Sequence, residues 1–317
     1  MDWKREPKTW AAIAVTLVLW ASAFAGIRAG MRLMPGGIIG PDGYGPGEVA
    51  LLRFATASLV LAAYALATRM KLPARRDLPR IAIAGVLGIT IYHLALNFGE
   101  VSVSAGAAAL LIAAGPVFTA MMSVAFLHER LTWAGWSGIA IAFAGVALIS
   151  MGESGGLHFE PGSLLVLGAA VSTAGYFVVS KQGLRIYSPL EFTTYIIWAG
   201  TIPMLVFAPG LLKQMPHAAP SATIAIVYLG IFPAAIAYVL WSYALARMPA
   251  SILSAFLYVS PVLAMFIAWL WIGEVPAVLT LVGGLIAVGG VIIVQTKGQP
   301  REKAAEMATN PIEASDG

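Results

Sequence analysis

Two polar pairs stand out in a chain that is otherwise apolar. His93 and Asn97 are four residues apart, and so are Tyr238 and Ser242. On a helix this spacing stacks both members of a pair on one face. Each pair lies in the middle of a long apolar run, where polar side chains are costly and normally face a cavity or the bundle interior. The chemistry they could do is recognition: imidazole, amide, phenol and hydroxyl together offer donors and acceptors to a small polar ligand. His93 also titrates near neutrality in water, which makes proton coupling through it compatible with the sequence. The competing reading is helix–helix glue, in which these groups bond to neighbouring helices. Trp20, Tyr92, Tyr176, Tyr238 and Tyr258 are aromatic residues inside comparable runs, suited to stacking against an apolar or aromatic ligand. Packing or an interfacial belt is the alternative for such rings, and it is the reading taken here for Trp198 and Tyr243. Gly115-Pro116 and Ser260-Pro261 interrupt two further runs. A proline removes a helical hydrogen bond, and freed backbone groups at membrane depth survive only when buried in protein or lining a cavity. The small residue before each proline permits close approach. Pro203 and Pro233 have no proline counterpart and rank lower.

Other chemistries lack their residues. There is no Cys, and the four His are scattered without metal-ligand spacing, which removes thiolate catalysis and zinc or iron–sulfur sites. Neither HExxH nor a phosphate-binding P-loop is present. No enzyme, cofactor or metal is expected. A channel would need a ring of like groups or a polar stripe, and the polar positions are isolated. Arg53, inside the second apolar run, is expected to snorkel to the surface or to pair with Glu48. Glu129 and Glu274 precede the last apolar run of each half and are expected to cap those helices. Gly26/Gly30, Gly138/Gly145 and Gly283/Gly290 read as close-packing faces within one chain.

The elements that must position these residues are membrane spans. Of 317 residues 59% are apolar and 11% charged, with mean hydropathy +0.85. A soluble domain carries about twice that charge, so a cytoplasmic enzyme, a nucleic-acid-binding domain and a disordered chain are excluded. Ten apolar runs of roughly 20 residues, the length needed to cross a bilayer, fall near 9–32, 47–68, 80–98, 104–127, 131–151, 161–181, 189–209, 221–246, 249–271 and 276–295. With the N-terminus inside, fifteen Lys and Arg lie in inner segments and two, Arg32 and Lys213, in outer ones. That bias sets the orientation and places the net charge of +4. Ala21-Ser22-Ala23 resembles a cleavage site, but the apolar run continues past it, so the segment is read as a retained span. Met34–Gly47 holds six Gly and three Pro and is read as a rim or gate loop, and the polar tail 297–317 as disordered.

The chain also repeats itself. A shift of 145 residues lays Pro116-Val117 on Pro261-Val262, Glu129 on Glu274, Gly138 on Gly283, Gly145 on Gly290 and His93 on Tyr238. A shift of 153 lays Arg28 on Lys181, and one of 143 lays Pro46 on Pro189 and Glu48 on Glu191. The unit has five spans. Five is odd, so the second copy would enter the membrane from the opposite side, an architecture that places a binding site near the midplane between the copies.

These residues carry a resemblance. Leu19-Trp20-Ala21-Ser22-Ala23-Phe24, Leu52-Arg53-Phe54, the two Pro-Val pairs and the two glutamates before Gly-spaced final helices resemble the drug/metabolite transporter superfamily, EamA type, over residues 9–296. Within it the chain is most similar to the YddG-like amino acid exporters. The fold class expected is all-α and integral to the membrane, ten transmembrane helices as two inverted five-helix repeats. The expected division is a cytoplasmic N-terminus (1–8), repeats at 9–151 and 152–296, and a cytoplasmic tail (297–317). The resemblance implies export of small zwitterionic metabolites, neutral or aromatic amino acids, across the inner membrane. Export of drugs or nucleobase-like metabolites, or a facilitative pore, are the alternatives. The partners implied are a small-molecule substrate and the lipid bilayer, with proton coupling open, no nucleic acid, and the chain taken as a monomer. Both termini are expected in the cytoplasm.

Overall fold

The computed structural model describes residues 7–34, 36–115, 117–118, 121, 131–154, 160–245 and 256–297, without the side chains of Phe177, Val178, Lys181, Gln182, Ser242, Leu245, Tyr258 and Gln295. The polar tail beyond Lys297, Glu129 and the loop residues around His158 lie outside this range.

Thirteen α-helices are described. The first half contains α1 (Pro7–Met31), α2 (Pro46–Ala67), α3 (Leu78–Gly85), α4 (Tyr92–Gly99), α5 (Ala105–Ile112) and α6 (Trp133–Ser154). The second contains α7 (Pro161–Gly183), α8 (Pro189–Met204), α9 (Ala208–Gln214), α10 (Pro220–Leu229), α11 (Ala237–Leu245), α12 (Ser260–Ile272) and α13 (Val278–Lys297). Among the described residues, six helical stretches are long and apolar enough to cross a membrane: 7–31, 46–67, 75–99, 133–154, 189–214 and 220–241. Their outward faces carry large apolar side chains such as Leu59, Leu66, Ile202 and Ile224. That distribution suits a hydrocarbon solvent, where every backbone amide must be bonded within its own helix.

The only strands among the described residues are in the Gly/Pro-rich loop. Leu33–Met34 pairs antiparallel with Ile38–Ile39, and Gly36 and Gly37 between them have positive φ, which a side chain would resist. Arg32 pairs with Asp42 at 2.8 Å. Tyr44 is fully buried, with its hydroxyl 2.8 Å from Thr223 Oγ1. The loop is therefore a packed hairpin seated on α10.

The tightest packing joins the two Gly-spaced helices α6 and α13. A Cβ on Gly138 would lie 2.8 Å from Gly290 O, and one on Gly283 2.8 Å from Gly145 O. A Cβ on Gly145 would lie 2.6 Å from Gly283 O, and one on Gly290 2.6 Å from Gly138 O. The contacts are reciprocal, and as one helix advances the other recedes. A second reciprocal pair links α3 to α8 and the start of the second π-helical segment to α2. A Cβ on Gly85 would lie 2.7 Å from Ile196 O, and one on Gly230 2.6 Å from Arg53 O. Between apolar helices in lipid, close backbone approach of this kind is what holds a bundle together.

Candidate functional site

Two π-helical segments shape the centre of the bundle. Val86–Ile91 joins α3 to α4, and Gly230–Ile236 joins α10 to α11. A shift of 145 residues lays the first on the second. π-helical turns leave carbonyls outside the usual ladder and occur often at functional sites. In each half one carbonyl of the segment accepts a hydrogen bond from the first helix of the other half. Ser172 of α7 donates to Leu87 O at 2.8 Å, and Trp20 of α1 donates its indole N–H to Pro233 O at 3.1 Å. Gly88 occupies the place equivalent to Pro233. Its missing side chain admits the ring of Tyr176, whose Cδ2 would lie 2.6 Å from a Cβ there. Pro233 lacks an amide hydrogen, which itself opens the helical ladder. Sequence reasoning set Pro233 aside for want of a proline partner; the two positions share a backbone device, though not a residue type.

The segments deliver His93 and Tyr238 to the same region. His93 is 3% exposed and packs between Phe54, at 4.4 Å between ring centroids, and Tyr92, at 4.6 Å. Arg53 of α2 is 2% exposed, so the expectation that it snorkels is corrected: its side chain turns into the bundle. It does not pair with Glu48 either. Its Nη1 lies 3.5 Å from His93 Nδ1, at the outer limit of a hydrogen bond, and its Cζ sits 5.2 Å from the Phe54 ring centroid. The phenols of Tyr238 and Tyr92 and the carboxyl of Glu100 lie within electrostatic range of it. Tyr176 is in electrostatic range of Tyr238. The three tyrosines are half-buried. Trp20 packs on Tyr238 and Trp241 at 5.3 and 4.9 Å.

The other sequence candidates spread further. Asn97 is fully buried, and its Nδ2 donates to Pro46 O at 3.0 Å, a bond between α4 and the start of α2. Ser260 begins α12 directly after a 3₁₀ turn at Phe256–Val259, with Pro261 in the first helical turn, a place where proline fits. α5 ends at Ile112, so the helix breaks ahead of Gly115. Among the described residues, a Cβ on Gly115 would meet nothing within 4 Å. Pro116 and the side chains of Ser242 and Tyr258 lie outside the described residues.

Sequence reasoning missed a cluster at the end of the bundle where α4 turns into α5. Glu274 does not cap α13: its Oε2 accepts from Ala105 N at the start of α5, at 2.9 Å, and its Oε1 pairs with Arg28 of α1 at 2.8 Å. Glu153 of α6 accepts from Ser104 N at 2.7 Å and from Thr280 Oγ1 at 2.9 Å. Arg28 also donates to the carbonyls of Glu100 and Val103. Burial pushes the Glu100 carboxyl well above the usual carboxylate range, against the pull of Arg28. The helix positive end explains why two carboxylates converge there, and the pairs tie the two halves together. Among the described residues no group of His, Asp and Glu could hold a metal.

Long apolar helices in two halves that meet around buried polar groups are the build of a membrane transporter. The chain belongs to the EamA-like transporter family, whose profile matches residues 9–151 and 160–296. It is 44% identical to the uncharacterized transporter YdfC of Bacillus subtilis over 279 residues, 88% of each chain. It is 40% identical to a probable terminal-alkyne amino-acid exporter of Streptantibioticus cattleyicolor, over 92% of this chain and 95% of that one. A solved crystal structure with 21% sequence identity matches with a TM-score of 0.56 over 96% of this chain and 99% of the other, a likeness of fold. The family and these named relatives are transporters, which sets the enzyme readings aside.

Proposed function

We propose that the chain exports small zwitterionic metabolites, neutral or aromatic amino acids, by alternating access at a site between two inverted five-helix repeats. The repeats are 9–151 and 152–296, ten spans in all, in the inner membrane with both termini in the cytoplasm. The reciprocal glycine contacts of α6 with α13 support the inversion, because equivalent helices crossing antiparallel are related by a two-fold axis perpendicular to them. The matching π-helical segments support it too. The Lys and Arg bias supports the orientation, and a reporter fused after Thr296 that read on the outside would overturn it.

The observation that carries the functional reading is the meeting of His93 and Arg53 with Tyr92, Tyr176 and Tyr238 where the halves touch. Rings give an apolar side chain its surface, and the polar groups give a zwitterion its partners. The exporter among the relatives supports the substrate class. The test is counterflow in proteoliposomes with labelled Phe, Met and Thr, with and without a pH gradient. Saturable exchange of an amino acid is expected. A gradient effect that disappears in His93→Ala would add proton coupling. Exchange of nucleobases or cationic drugs but of no amino acid would replace the substrate class, and non-saturating flux would replace the carrier with a pore.

A further inference from the structure

Arg53 is a charge that the fold does not require. It sits seven residues into α2, about 10 Å along the helix axis, and is 2% exposed. No carboxylate of the described residues is within ion-pair distance of it. Glu100, the nearest carboxylate by electrostatic influence, follows His93 by seven residues on the far side of two helical turns and lies beside Arg28. An unpaired buried guanidinium is strongly destabilising. Helix packing does not explain the cost. Under the shift of 143 residues Arg53 corresponds to Ile196, and the glycine crossing at Arg53 O is as close as the one at Ile196 O, 2.6 against 2.7 Å. The same crossing is made with an aliphatic side chain.

Arg53 Nε and His93 Nε2 are buried and have no hydrogen-bond partner. If Arg53 donates to His93 Nδ1, the imidazole proton is on Nε2, so both free nitrogens are donors. The neighbouring phenols of Tyr92 and Tyr238 can donate as well. Two free donors beside one positive charge suit a ligand with two acceptor oxygens and one negative charge, while the free acceptor Asn97 Oδ1 lies one helical turn beyond His93. A phosphate monoester carries nearly two charges, more than one guanidinium balances. A carboxylate matches both the charge and the planar fork.

We infer that Arg53, with His93 Nε2 as a second donor, binds the carboxylate of the transported amino acid. The inference rests on the amino-acid reading above. It assigns the rings of Tyr92, Tyr176 and Tyr238 to the rest of the molecule, where an ammonium group is also attracted to aromatic faces.

The test separates the two claims. Exchange of labelled Phe, Met and Thr is competed by the unlabelled acid, by its methyl ester and by the corresponding decarboxylated amine, in wild type, Arg53→Gln and Arg53→Lys. In wild type the ester and the amine should compete about tenfold or more worse than the acid, the size expected for a charge-assisted contact. Arg53→Gln should lose that preference, and Arg53→Lys, a point charge without the fork, should keep part of it. Equal discrimination in wild type and Arg53→Gln would overturn the anchor and leave amino-acid export standing. Wild type that treats acid and ester alike would overturn it without any variant, which covers an Arg53→Gln protein that fails to fold. Wild type that exchanges amines or drugs but no amino acid would remove the export reading and the anchor together.

Discussion

At the first π-helical segment Gly88 backs onto the ring of Tyr176 and the chain runs on to His93. At the second, Pro233 stands in the place of Gly88, takes the indole N–H of Trp20, and the chain runs on to Tyr238. The backbone path is shared and so are the crossings that support it, Gly85 on Ile196 and Gly230 on Arg53. The chemistry is divided. The first half holds the ionisable groups at the centre, Arg53 and His93, and the second supplies a phenol and a wall of rings, Tyr238 and Trp241. A duplicated scaffold can therefore keep what packing demands in both copies while each copy specialises. A zwitterion with an apolar side chain calls for such a division, because its charged end and its apolar end need different partners.

The comparison can be broken first at the shared scaffold. Gly145→Ala and Gly290→Ala would each drive a methyl group into backbone atoms of the partner helix. Overpacking of this kind costs about 1–3 kcal/mol, and the two losses should be equal. Gly289→Ala, where a Cβ meets nothing within 4 Å, should be neutral or slightly stabilising in a helix. Thermal unfolding in detergent measures all three, and unequal losses at 145 and 290 would break the equivalence of the halves.

The division of chemistry predicts the next effect. His93→Ala and Tyr238→Ala should each lower exchange about tenfold or more while membrane insertion stays intact. If both residues act on one bound molecule, the double variant should lose less than the sum of the two changes. Wild-type exchange in both single variants would remove these residues from the site.

The smallest effect sharpens the comparison at a helix start. Ser188 caps α8 in a full capping box with Glu191, whereas the equivalent Gly45 gives α2 no side-chain cap. Ser188→Ala should cost about 1 kcal/mol, and Ser188→Gly only a few tenths. A loss as large in Ser188→Gly would mean that the hydroxyl does more than cap.

Much of the scaffold was legible before the structure. Gly138, Gly145, Gly283 and Gly290 announce a close crossing because in lipid only small residues let helices touch. The shift of 145 residues also puts His93 and Tyr238 at corresponding positions. The π-helical segments left no mark: Val86–Ile91 and Gly230–Ile236 share little sequence, and an extra residue per turn does not disturb a uniformly apolar run. The burial of Arg53 left a mark that was misread. Its position inside a span is visible, but whether a long side chain turns to water or inward depends on the rings of Phe54 and His93, which come from packing. Glu274 was assigned to the helix that follows it, whereas it serves α5, 169 residues earlier in the chain.

The sequence by itself determined that this chain lives among lipids and which residues are too polar for their surroundings. These properties are periodic or compositional, and every segment carries them locally. The tertiary structure alone decided which polar group meets which. Partners such as Trp20 and Pro233, or Arg28 and Glu274, lie far apart along the chain, and hydrogen bonds and ion pairs hold only over a few ångströms. A charge without a partner, Arg53, can be recognised only once all its neighbours are in place.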